Sequence, residues 1–268
     1  LSYASSGNNN DFLLFSTNSL LVFRANSNTT SGVSFNGGDF HVGTASWRSS
    51  DGATSVWKDG SQDYSITGFQ TSTNITANGT LALGAEQDGI NSGYDDVQDH
   101  LGDYAEVAIY NIVLNQAQTI IVQNYLSAKY ATALTTNDVY AQDEIANGNY
   151  DFEVAGIGRI NSSNFHSDAK GSGIVRINDA SSLDDEDFLL WGHDNAELRA
   201  TSTDVPMGIS RRLARVWRVS EVNRSAAAID VGSVDISFDL TGLGDVTASD
   251  LVLLVDADGT FATSTTEI

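Results

Sequence analysis

Short apolar runs, broken by Gly, Asn, Asp and Ser, recur along almost the whole chain, and their length and punctuation are those of strands. Residues 12–15 and 20–23 are two such runs. Across residues 40–47, Phe40, Val42, Thr44 and Ser46 alternate with His41, Gly43, Ala45 and Trp47, predicting a half-buried strand that ends on an aromatic. Residues 55–60 predict a strand entering a hairpin at Asp59-Gly60, because Asp-Gly tolerates the left-handed geometry of tight hairpin turns. Residues 81–83 form a further short run, and residues 104–110 alternate strictly. One segment has another period: over 115–130, Ile120, Ile121, Tyr125, Leu126 and Tyr130 fall at helical spacing behind Asn115, a favoured N-cap.

Residues 131–138 are small and polar and read as a linker. Beyond them, residues 154–159, 173–177, 188–192, 213–219, 234–240 and 251–255 predict the strands of a second β-sandwich. The domain reading is therefore 1–130, a linker at 131–138, and 139–268.

Composition narrows the function classes. The 268 residues hold 13 Lys+Arg against 35 Asp+Glu, a formal net charge of −22. Such a chain repels nucleic acid and anionic membranes, whose affinity comes from cationic contacts. No apolar run has membrane-spanning length, so no membrane insertion is expected, and no leader-like segment is read at the start. With no cysteine, thiol chemistry and disulfide staples are excluded. A single proline, Pro206, among abundant Ser, Thr, Asn and Gly fits a β-rich extracellular module.

The candidate chemistry lies in residues 83–104, LGAEQDGINSGYDDVQDHLGDY. Calcium takes about six to eight oxygen ligands, and a short acidic loop supplies several. Glu86 and Asp88 are two apart, Gln87 between them offers a main-chain oxygen, and Gly89 and Gly93 let the loop turn tightly toward Asp95 and Gln98. This segment is similar, without a gap, to the double-calcium loop of the pentraxin and laminin-G-like family of jelly-roll lectins. Trp47 followed by Asp51-Gly52, then Trp57-Lys58-Asp59-Gly60, is also typical of laminin-G-like modules.

The resemblance implies a concanavalin A-like jelly-roll sandwich, all-β and N-terminally incomplete at Leu1, followed by the second sandwich-like domain, itself incomplete at Ile268. It implies two calcium ions, with Glu86 and Asp88 bridging them, Gln87 giving its main-chain oxygen, and Asp95 and Gln98 completing the second. Asn9 and Asn10 match two further ligand positions, Asn9 where pentraxins usually have an acid; Asp11 is an alternative if the loop shifts by one residue. Asp96, Asp99 and Asp103 read as solvated. The implied activity is non-catalytic, calcium-dependent binding of a glycan, phosphate headgroup or other anionic or polyol ligand. The absence of cysteine favours a large bacterial surface protein, an adhesin, over an animal one. The rival reading is a building block of an extracellular filament, stiffened by calcium and self-associating with neighbouring modules.

Other motifs carry less. Glu86-Gln87-Asp88-Gly89-Ile90-Asn91 begins like the strand on which jelly-roll glucanases place two carboxylates about 5 Å apart, but Asn91 cannot serve as the acid. His41, His100, His166 and His193 have no zinc-ligand spacing. Residues 184–187 and 256–259 read as turns, Gly156-Ile157-Gly158 as a tight strand, and Arg211, Arg212, Arg215 and Arg218 around Trp217 as partners of internal ion pairs or of a neighbouring domain.

Overall fold

Three of the hairpins in the first unit close through two-residue turns. Strands β1 (Ser2–Ser5) and β2 (Asn8–Ser16) are joined through Ser6 and Gly7, the latter at φ 85°. β3 (Leu20–Arg24) and β4 (Ser27–Thr30) are joined through Ala25 and Asn26, both at positive φ. β5 (Gly43–Trp47) leads to β6 (Thr54–Lys58), which turns through Asp59 and Gly60, at φ 47° and 89°, into β7 (Ser61–Ile66). Two consecutive left-handed residues give the turn whose twist matches its flanking strands.

The computed structural model describes every residue except 95, 96, 172, 245, 246 and 264, and all side chains of the others except 248 and 267. β8 (Thr80–Ala82) pairs antiparallel with β1, so the first sheet runs β4-β3-β2-β1-β8, and β5-β6-β7 form a second. Between them Val22, Val33 and Val56 are buried, with Phe12, Leu14, Phe35, Ala45 and Tyr64 packed around them. This is the two-layer antiparallel arrangement of a β-sandwich.

Helix α1 (Gln116–Tyr130) starts where Asn115 predicts: the Gln118 amide donates to the Asn115 side chain, and Gln118 accepts from the Asn115 amide. Its buried face, however, is largely polar. Thr119, Gln123, Asn124 and Ser127 are buried beside Ala117, Ile120 and Ile121, whereas Tyr130 is exposed. Gln123 donates to Thr44 on β5, and Asn124 to the Asn137 carbonyl. Residues 131–138, expected as a linker, are bonded within the first unit, with Thr135 and Asn137 donating to the carbonyls of Asp59 and Gly60.

The chain divides into compact units Leu1–Asp138 and Val139–Ile268. In the second, β9 (Phe152–Asn161) pairs with β10 (Asn164–His166), and β11 (Asp168–Lys170) with β12 (Val175–Asn178). β13 (Asp187–His193) pairs with β9 on one side; β14 (Ala200–Thr201) and β15 (Arg212–Leu213) make a short ladder; β16 (Trp217–Asn223) takes the other side of β13. β17 (Asp235–Phe238) joins β12, and β18 (Leu254–Val255) pairs with β19 (Thr266–Glu267). Ile157, Leu189 and Trp191 from sheet β10-β9-β13-β16 pack with Val175 and Ile177 from sheet β11-β12-β17. Gly156 and Gly158 make room for this sheet, since a Cβ at either would strike the Leu190 or Phe188 side chain of β13.

The all-β class holds, and several boundaries move. The strand expected over 40–47 begins at Gly43, because the Val42 amide and His41 ring are taken by the Asp59 carboxylate and Phe40 is 58% exposed. Residues 104–110 form no strand: no described strand pairs with them, so the alternation of Tyr104, Val107, Ile109 and Tyr110 leaves all four exposed. The run expected over 213–219 is split into β15 and β16, with Arg215 between them turned to Glu153 and the Ala196 carbonyl.

Candidate metal centre

Behind β8 the chain passes back against β1. Gln87 is fully buried there; its side-chain amide donates to the carbonyls of Ser2 (3.2 Å) and Thr80 (2.6 Å), and its Oε1 accepts from the Asn91 amide (3.1 Å). Its side chain is therefore an anchor, compatible with the main-chain role predicted for the residue. The loop tip is a tight turn, with the Gly89 and Ser92 amides each donating to the other's carbonyl and Asn91 left-handed at φ 51°. The His100 amide donates to the Gly84 carbonyl at 2.7 Å and draws the two ends of the loop together.

These anchors bring the two predicted ligand segments into contact across 79 residues of sequence. Asn9 Nδ2 donates to Asp88 Oδ1 at 3.1 Å, and the Asn9 side-chain oxygen accepts from the Asn10 amide. Glu86 is 4% exposed, whereas Asp88 is open to solvent. The Asn10 amide also donates to Asn26, which donates in turn to Asn8, so the β3–β4 turn braces the start of β2. Gln98 is half-buried. Asp95 lies outside the described residues, as does Asp96. A cleft of about 440 Å³, lined by Ser5, Ser6, Asn8, Asn9, Asp88 and Ile90, opens along this contact.

Asp11 is not the alternative ligand that a one-residue shift would make it. It is 1% exposed and forms an ion pair with Arg24, while its Oδ2 accepts from Ser5 Oγ (2.7 Å) and the Thr76 amide (2.8 Å). Burial raises its pKa, but the hydrogen bonds from Ser5, Thr76 and Arg24 together outweigh that and hold the carboxyl below its ordinary value. Arg24 also stacks on Trp47, 4.3 Å from the ring centre. Nothing in the acidity of Asp11 announces this buried pair; Arg24 was the signal, as a lone cation closing an apolar run.

The donor set fits a hard cation. Among the described residues no three His, Cys, Asp or Glu side chains cluster as a group that could hold a metal ion. The available oxygens are two carboxylates, amides and main chain, the mixture that calcium takes. Asn10 Oδ1 is shielded from water and accepts no hydrogen bond, a buried polar oxygen of the kind a cation would satisfy.

A model of the Pentaxin family matches residues 1–142, just over half of the chain. The chain belongs to the Pentaxin family. Pentaxin domains are calcium-dependent ligand-binding modules, generally non-catalytic, that occur in extracellular proteins and often assemble into oligomers. Residues 118–268 match a second family, a domain of unknown function (DUF8202). Over 150 residues the chain is 29% identical to the rat (Rattus norvegicus) protein "Sushi, von Willebrand factor type A, EGF and pentraxin domain-containing protein 1", covering 55% of this chain and 4% of that relative. Among the described residues no helix is long and apolar enough to cross a membrane.

The remaining motifs resolve as structure. Asn91 is a turn residue. In residues 184–187, Asp185 pairs with Arg159 and Glu186 with Arg224. Asp256 Oδ1 accepts the amides of Asp258, Gly259 and Thr260, closing a turn. Arg212 pairs with Asp204, Arg215 with Glu153, and Arg218 donates to the Asn147 carbonyl.

Proposed function

We propose that the first unit is a calcium-dependent, non-catalytic binding module. In this reading Asn9, Asn10, Glu86, Asp88, Asp95 and Gln98, with the Gln87 main-chain oxygen, hold two calcium ions, and the protein works outside the cell or at its surface as a bacterial adhesin. The observation that carries it is the Asn9–Asp88 contact: donors from opposite ends of the unit meet at the mouth of an open cleft. Bound calcium would supply coordination positions for oxygen atoms of an outside ligand. Buried Glu86 and the anchored Gln87 keep the donors in place before the ions arrive, so little ordering is left to oppose binding.

Adsorption to a glycan array, in calcium and in chelator, tests this reading. Calcium-dependent retention on a defined group of glycans is expected. Equal adsorption in calcium and chelator would contradict it.

A further inference from the structure

In the second unit one imidazole ring ties together two left-handed backbone positions. Glu153, near the start of β9, lies at φ 52°, and Asn195, just after β13, at φ 58°, a region that disfavours residues with a Cβ. Between them sits His193, 2% exposed at the end of β13. The Asn195 amide donates to His193 Nδ1 at 2.9 Å, and His193 Nε2 meets the Glu153 carboxylate at 2.8 Å. An amide can only donate, so Nδ1 holds the lone pair and Nε2 the proton. Both ring nitrogens are committed. Arg215 provides the neighbouring attachment: its Nε donates to the Ala196 carbonyl at 2.8 Å, and its Nη1 lies 3.5 Å from the same Glu153 oxygen that His193 uses.

We infer that residues 194–199 form an acid-released latch, in which protonation of His193 breaks the Asn195 contact and loosens the Arg215 contact while the sheet stays folded. The ring can take a second proton only at Nδ1. There the new N–H confronts the Asn195 N–H, donor against donor. The imidazolium also claims the Glu153 carboxylate as an ion pair and repels the Arg215 guanidinium, which holds the Ala196 carbonyl. One proton thus acts on both attachments. The root of the loop needs no proton change, since Asp194 Oδ1 accepts from the Ala196 and Val216 amides, so the opening is local. The charged groups facing the ring are Glu153 from β9, Arg215 from the segment before β16, and Asp194 beside it. Burial, helped by Arg215, holds the ring below 6.5 against the two carboxylates, so the latch is closed at neutral pH and opens on acidification.

Residue-resolved amide exchange by NMR on the full chain, corrected for the intrinsic effect of pH, tests this between pH 7.5 and 5. Protection at Asn195 should fall about ten-fold while the amides of β9 and β13 keep theirs. In His193→Gln, which has no proton to gain, protection there should not change with pH. Glu153→Gln removes a carboxylate that favours the charged ring, so its fall should begin at lower pH. In the wild type, nitrogen-resolved NMR of the ring should show the Nε2–H tautomer at pH 7.5. Constant protection at Asn195, a loss shared with β9 and β13, the same fall in His193→Gln, or an Nδ1–H tautomer would each overturn the inference.

Discussion

At the residue scale, Gly93 and Gly89 separate two uses of glycine in one loop. Gly93 lies at φ 74°, and a Cβ there would stand 2.7 Å from Asp88 Cβ. Gly89 has no such backbone constraint, and its Cβ would meet only the movable Ser92 hydroxyl. Gly93→Ala should therefore displace Asp88 and weaken calcium at least about ten-fold, whereas Gly89→Ala should stay within about two-fold, both read by calorimetric titration. Equal effects would mean that the loop does not press on Asp88. The family resemblance of residues 83–104 and of Asn9 and Asn10 pointed to this region, and the structure brings Asn9 and Asp88 into contact there. Long-range burial was not legible. The Gln87 side chain is anchored by the Ser2 carbonyl, 85 residues away, and the Asp11–Arg24 pair on neighbouring strands is completed by the Thr76 amide, 65 residues from Asp11.

At the scale of elements, the helix shows how far local rules reach. Its start is set by local hydrogen bonds, so Asn115 was readable; its buried face is set by the sheet it meets, so Gln123, Asn124 and Ser127 were not. Asn115→Ala should cost about 1 kcal/mol and lower Tm by several degrees. Ala131, which closes the helix at φ 50°, should gain several tenths of a kcal/mol on replacement by Gly, because it holds a left-handed position that favours a residue without Cβ. Thermal scans of the two variants should move in opposite directions; a shared direction would mean that the helix ends are not limited by their caps. The hairpin at Asp59-Gly60 was legible for the same local reason. Residues 104–110 were misread because alternation describes a strand only when a neighbour supplies hydrogen bonds.

At the scale of the whole molecule, burial lowers the pKa of two described histidines of the second unit, His166 and His193, and His193 is the more deeply buried. Its Nδ1 accepts from the Asn195 amide (2.9 Å), so Nε2 carries the proton and donates to Glu153 (2.8 Å). Burial lowers its pKa below 6.5, helped by the Arg215 charge and opposed by the Glu153 hydrogen bond. A lowered histidine pKa means the unfolded chain takes up the proton first. Stability is therefore full above pH 6.5 and declines as pH falls below it, toward the folded value. Denaturation of the full chain between pH 7.5 and 5 should show a steeper loss for the wild type than for His193→Gln; parallel curves would contradict the assignment.

The central claim concerns the first unit, and a calcium titration by calorimetry on chelator-stripped protein, beside Glu86→Gln, tests it most directly. The account predicts two ions bound by the wild type and a loss of at least about a hundred-fold in affinity in the variant, with its fold retained. Absence of calcium binding by the folded wild-type chain, or an unchanged isotherm in Glu86→Gln, would contradict it.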